Sequence, residues 1–127
     1  MNSYIKKDNK TGTEVEFKFI PSSVIPLDIP LSTPLTFAFA GQNVLLVKKR
    51  LNDWWDVVGG KIEKNESYIE TIKREALEEG GVEIDNIILI GYVLATNIGA
   101  FNPKFAQRTV LPVTISFIKK VICTIVK

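Results

Sequence analysis

Histidine is absent from the 127 residues, and cysteine occurs once, at Cys123. Together these absences exclude Ser-His-Asp and Cys-His catalysis, HExxH metalloprotease chemistry, zinc fingers and an intramolecular disulfide. Any chemistry must run on carboxylates, amines, hydroxyls or a bound metal. Cys123 reads as a small apolar residue, since nothing near it in sequence would activate a thiol. No succession of basic, apolar and small residues marks a signal peptide, and a lone thiol suits a reducing compartment, so a cytoplasmic location is expected. Acids are missing after Asp85, whereas Glu63, Glu66, Glu70, Glu75, Glu78, Glu79, Glu83 and Asp85 crowd one short segment. The net charge of +2 is too small to imply nucleic-acid binding. The longest uncharged stretch, Asn86 to Pro103, is interrupted by Asn86, Thr96, Asn97, Asn102 and Pro103. Its β-branched residues and glycines suit strands better than a spanning helix, so no membrane partner is expected.

What remains is ordinary globular material, 46% hydrophobic and 24% charged, with a length suited to one domain over 1–127. The first dozen residues are polar and expected to be loose. Glu14 to Ile20 alternates, with Val15, Phe17 and Phe19 on one face, as in a half-buried strand. Pro21, Pro26, Pro30 and Pro34 then remove backbone donors at short intervals, which makes 1–34 a strand followed by an extended connector. Thr36 to Ala40, a Gly41-Gln42 turn and Val44 to Lys48 predict a hairpin. Trp54 to Val58 and Gly60 to Ile62 read as short strand pieces, and Ile87 to Ala95 and Thr109 to Ile118 as strands.

Ser67-Tyr68-Ile69-Glu70 has the form of a capping box, which places a helix start at Ser67. Ile69, Ile72 and Ala76, flanked by Leu77, repeat at helical spacing, and Gly80-Gly81 supplies the stop. At about 100° per residue, Glu75, Glu78 and Glu79 project from one face, where their repulsion is unfavourable. A hard divalent cation would relieve it. A solvated helix face rich in Glu is the alternative.

Reading outward from these acids gives Gly60, five residues, Glu66, seven residues, then Arg74-Glu75-Ala76-Leu77-Glu78-Glu79-Gly80-Gly81-Val82. This resembles, at every fixed position, the G-x5-E-x7-R-E-U-x-E-E-x-G-U box of the Nudix hydrolase family, where U is aliphatic or small. Trp54 to Glu63 is similar to the family's W-x-x-P-G-G approach, with Val58 in place of proline, and Val44 to Arg50 to its strand ending in basic residues. The likeness covers about residues 35 to 95.

The resemblance implies an α/β fold, an α/β/α sandwich with a mixed β-sheet between helices. It further implies hydrolysis of the pyrophosphate bond in a nucleoside diphosphate linked to another moiety, with water as nucleophile and Mg²⁺, or Mn²⁺, as cofactor. Glu75, Glu78 and Glu79 would supply metal ligands, joined by the Gly60 carbonyl. Arg74 would orient carboxylates, with Glu66 as its partner, while Gly59 and Gly81 serve the loop and the helix end. Lys48, Lys49 and Arg50 would reach a phosphate or stay solvated. Trp54 or Trp55 would stack on a base or pack in the core. A nucleotide-type small molecule is the expected partner, such as a nucleoside triphosphate or nucleotide sugar, with capped RNA left open. The alternative is a noncatalytic Nudix-like module that binds nucleotide or RNA.

Two departures from the family pattern stand out. With no acid after Asp85, the general base is a box glutamate, an upstream acid such as Asp53 or Asp56, or metal-bound hydroxide. The chain also stops at the apolar run Val121 to Lys127, where the family commonly continues into a strand and a C-terminal helix. A last strand ending there, a truncated product and a homodimer covering the edge all remain open.

Overall fold

The computed structural model describes residues 3–8, 10–48, 54–99 and 107–122. Lys49, Arg50, Asp53 and Cys123 lie outside them, as does the run from 123 to 127. The strands are β1 (Ser3–Lys7), β2 (Glu14–Pro21), β3 (Leu35–Ala40), β4 (Asn43–Val44), β5 (Val47–Lys48), β6 (Trp55–Asp56), β7 (Val58–Gly59), β8 (Val82–Asn97) and β9 (Arg108–Val121). One helix, α1 (Tyr68–Gly80), follows β7. The main sheet runs β1-β2-β8-β9-β3-β4, with β7 also pairing β3, while β5 and β6 form a separate two-stranded ribbon. Since β3 and β9 are parallel and the other pairs antiparallel, the sheet is mixed and the class is α/β. Among the described residues α1 is the one helix.

Several local expectations need correction. Residues Ser3–Lys7 pair with Glu14–Lys18, so the polar start is an edge strand instead of a loose end. Its side chains are all exposed, which is why no alternation marks it. The second hairpin strand divides: Asn43 and Val44 pair back to β3, whereas Val47 and Lys48 turn to Asp56 and Trp55. Gly60–Ile62 forms no strand. β8 starts at Val82, before the expected Ile87, and shifts register between Asp85 and Ile88. Asn86 there adopts φ 51°, a left-handed conformation suited to a bulge.

Pro112 sits inside β9, which has neighbours on both sides. Val110 accepts from Ser32 N–H and donates to Pro30 O, both at 2.8 Å. Two residues on, Pro112 turns its nitrogen to the same side, in the gap between the Leu31–Val110 bridge and the Leu35–Val113 pair. The missing donor therefore breaks no ladder bond.

The core that positions α1 is formed by Ala38, Val47, Val58, Ile72, Ala76, Val82 and Ile84. Val58 fills this core at 0% exposure, so valine does the packing where a proline is usual in the motif. Small polar residues lie in the same sheet: Thr36 and Ser116 are fully buried, and their hydroxyls share a 2.7 Å hydrogen bond.

Gly91 lies in β8 opposite Pro21 of β2. A Cβ there would lie 2.5 Å from Ile20 O and 2.6 Å from the Phe19 ring. Gly91→Ala is expected to lose about 1–3 kcal/mol, because a strand backbone cannot yield as a side-chain tip can. Denaturant unfolding would check this: an unchanged midpoint would show that β2 moves freely.

Candidate active site

The helix that carries the acids is fixed at both ends by local chemistry. At its start Ser67 Oγ accepts from Glu70 N–H at 3.1 Å, and the Glu70 carboxylate accepts from Ser67 N–H at 2.8 Å. These reciprocal bonds satisfy orphan donors. At its end Gly81 takes φ 64°, and its N–H reaches Ala76 and Leu77 carbonyls. Glycine adopts that left-handed cap without a Cβ penalty. The buried face is Thr71, Ile72 and Ala76, whereas Leu77 is 47% exposed and does not join it.

Arg74 is the hub. Its Nε donates to Glu66 Oε2 at 2.7 Å and its Nη2 to Glu66 Oε1 at 3.1 Å, a two-point contact. Its Nη1 donates to Glu75 Oε2 and Glu78 Oε1, both at 3.1 Å, and Nη2 also reaches Lys61 O at 3.0 Å. One guanidinium thus ties the loop before the helix to two helix carboxylates, a geometry that lysine's single ammonium lacks. Glu66 also accepts from Thr71 Oγ1 at 2.7 Å and from Glu63 N–H at 3.0 Å.

These bonds, Arg74's foremost, hold the Glu66 carboxyl down at about 2. Because the folded value lies below the ordinary 4.5, ionised Glu66 favours folding above that pH. The contribution disappears as pH falls from 4.5 through about 2. Glu66→Gln should therefore unfold with a flatter acid dependence in that window, measured by denaturant titrations at stepped pH. An acid limb identical to the wild type would show that Glu66 is not the linked group.

The three box glutamates occupy different surroundings. The Glu75 side chain is 14% exposed and that of Glu78 59%. Glu79 Oε1 accepts from Gly59 N–H at 3.3 Å. Burial pushes the Glu75 carboxyl up, and the charges of Glu79 and Glu78 push the same way, while Arg74 opposes them. Gly60 lies directly against Glu75, so that a Cβ on it would overlap the carboxylate. Loop and helix meet backbone to side chain, with a dense negative charge at the junction.

A family model described as NUDIX domain matches residues 33–115, about two thirds of the chain. The chain belongs to the Nudix hydrolase family. Its fold is similar to that of the Bacillus subtilis pyrophosphohydrolase BsRppH, solved as a point mutant, with TM-score 0.66 and 20% identity. The match covers 95% of this chain and 69% of that one. Comparison with curated protein sequences gives no match.

In this Nudix hydrolase the side chains gathered at the junction, Glu75, Glu78 and Glu79, offer only carboxylate oxygens. That set fits a hard divalent cation by chemistry. By position the carboxylates are engaged elsewhere, and no group of three among the described residues converges into a ready cage. Arg74 bridges Glu75 and Glu78, and Glu79 faces Gly59. Sequence spacing shows three acids on one helix face but not that a guanidinium holds two of them. Lys61, absent from the candidates, joins the network only through its backbone carbonyl, which no side-chain pattern reveals.

The outlying candidates fare differently. Lys48 lies on β5, opposite Trp55. Trp54 and Trp55 are each 62% exposed, so neither packs in the core. Asp56 turns onto its own chain, accepting from Val57 N–H at 2.8 Å. Arg50 lies outside the described residues. Among those described, no helix is long and apolar enough to cross a membrane.

Proposed function

We propose that this Nudix hydrolase is a cytoplasmic pyrophosphohydrolase, acting as one domain on a nucleoside diphosphate linked to another moiety. The observation that carries the proposal is the junction at which Arg74 gathers Glu66, Glu75 and Glu78 while Glu75 and Glu79 press against Gly60 and Gly59. That the structural neighbour BsRppH is a pyrophosphohydrolase supports the reaction class.

Glu75, Glu78, Glu79 and the Gly60 carbonyl would hold Mg²⁺, or Mn²⁺ in its place. When bound, the cation supplies charge neutralisation for the diphosphate and acidifies or positions water. In the reaction a water oxygen forms a new bond to phosphorus, and the bond from that phosphorus to the bridging oxygen breaks. The water proton passes to a box glutamate, and the leaving phosphate carries the electron pair of the broken bond. Arg74 keeps Glu75 and Glu78 oriented for this work, and Glu66 anchors Arg74. Asp56, bonded to its own chain at Val57, is the weaker candidate for the base.

The test is product release from nucleoside triphosphates, ADP-ribose, dinucleoside polyphosphates and capped RNA with and without Mg²⁺, using Glu78→Gln as control. Metal-dependent turnover of at least one compound, lost in the variant, is the expected result. Calorimetric binding without product from any of them would overturn the hydrolase reading in favour of a binding module.

A further inference from the structure

The Nudix box fixes no residue between Glu66 and Arg74, yet one side chain of that stretch reaches into the carboxylate network. Thr71 lies in the first half of α1 and is fully buried. Its Oγ1 donates to Glu66 Oε1 at 2.7 Å and lies 3.0 Å from Ser67 O. A hydroxyl has one proton to give, and these two acceptors compete for it. Ser67 O already accepts from Thr71 N–H at 3.0 Å, so the shorter bond to the charged oxygen takes the proton. A threonine serving only its own helix would direct the hydroxyl to the carbonyl four residues back.

The other donors to Glu66 hold it less firmly to the helix. Arg74 grips both carboxylate oxygens, but its guanidinium sits on a long side chain with many rotamers, so the forked pair can swing as a unit. Glu63 N–H belongs to the loop before α1. Thr71 is stiff at χ1 through its branched Cβ, and it is buried on the face of α1 that meets the core. Its hydroxyl therefore grounds the Glu66–Arg74 fork in the helix whose Glu75 and Glu78 that fork holds at 3.1 Å.

We propose that Thr71 is a positioning residue for the metal-holding acids, its hydroxyl setting where Glu75 and Glu78 stand by way of Glu66 and Arg74. The proposal rests on the assignment of those acids to a divalent cation in the pyrophosphohydrolase reading. It adds to that reading a residue the box leaves unspecified.

Substitution separates the hydroxyl from the bulk of the side chain, since serine keeps the hydroxyl, valine keeps the branched shape and alanine keeps neither. Mn²⁺ binding, followed by the electron paramagnetic resonance of the free ion, should weaken about ten-fold in Thr71→Val and Thr71→Ala and stay near wild type in Thr71→Ser. A merely structural threonine gives a different order, in which affinity follows thermal stability and Thr71→Ser, missing a buried methyl, is impaired as well. Unchanged Mn²⁺ affinity in the hydroxyl-free variants, or an equal loss in Thr71→Ser, would overturn the proposal. With the substrate turned over fastest, Thr71→Val should lower kcat and raise the Mg²⁺ concentration giving half-maximal rate, with KM little changed. Wild-type kcat and Mg²⁺ demand in that variant would overturn the positioning role and leave the hydrolase reading intact. Hydroxyl-dependent Mn²⁺ binding in a protein that turns over no substrate would support the positioning role while refuting the hydrolase reading.

Discussion

Glu78→Gln should lower kcat by about 10³-fold, the scale of losing one charged ligand from a metal-assisted phosphoryl transfer. The side chain is 59% exposed and its one described bond is to Arg74 Nη1, which the amide oxygen of glutamine also accepts. Stability should therefore move by no more than about 0.5 kcal/mol. That separation of activity from stability makes Glu78 an informative probe of the two helix carboxylates that Arg74 holds. The Mg²⁺ concentration giving half-maximal rate should rise along with the loss. A Glu78→Gln enzyme that keeps wild-type kcat would remove this residue from the metal set and leave it as a solvated partner of Arg74.

Legibility of the fold from sequence followed the range of the interactions. The capping box at Ser67 and the stop at Gly81 are set by contacts within a turn, so the helix limits could be read directly. β8 was legible only in its second half, since the bulge at Asn86 breaks the period of two that identifies a strand. β1 has no buried face to leave a pattern, and the split of Val44 from Val47 depends on a partner, Trp55–Asp56, that lies beyond the turn. At the site, residue types and spacing pointed to Glu75, Glu78 and Glu79 as a group. Their inequality was hidden: burial of Glu75, exposure of Glu78 and the tie of Glu79 to Gly59 all depend on where the loop crosses the helix. Reading one tryptophan as core failed for a related reason, because hydrophobicity alone does not distinguish a core ring from one displayed on a ribbon.

The two adjacent glycines, Gly59 at the end of β7 and Gly60 in the loop after it, should fail in opposite ways when given a Cβ. In Gly60→Ala the new atom would overlap the Glu75 carboxylate, the far end of a flexible side chain that can swing aside. Gly60 does not have a positive φ, so alanine meets no backbone strain there. The cost therefore falls on position: Glu75 gives up its 3.1 Å contact with Arg74 Nη1 and the place it holds beside the loop. Misplacement of a reacting group by about 1 Å is worth about 10²-fold, and a kcat loss of that size with a near-wild-type Tm is expected. In Gly59→Ala the Cβ would instead lie 2.7 Å from Pro34 O and 2.6 Å from Leu35 Cδ2, where the backbone of the β3 approach cannot step aside. That variant should lose about 1–3 kcal/mol of stability as β7 and β3 are forced apart. Parallel thermal melts and rate measurements on the two variants decide the matter. Equal loss of stability in both would show that Glu75 is locked in its packing, and that the carboxylate is part of the fold before it is part of the chemistry.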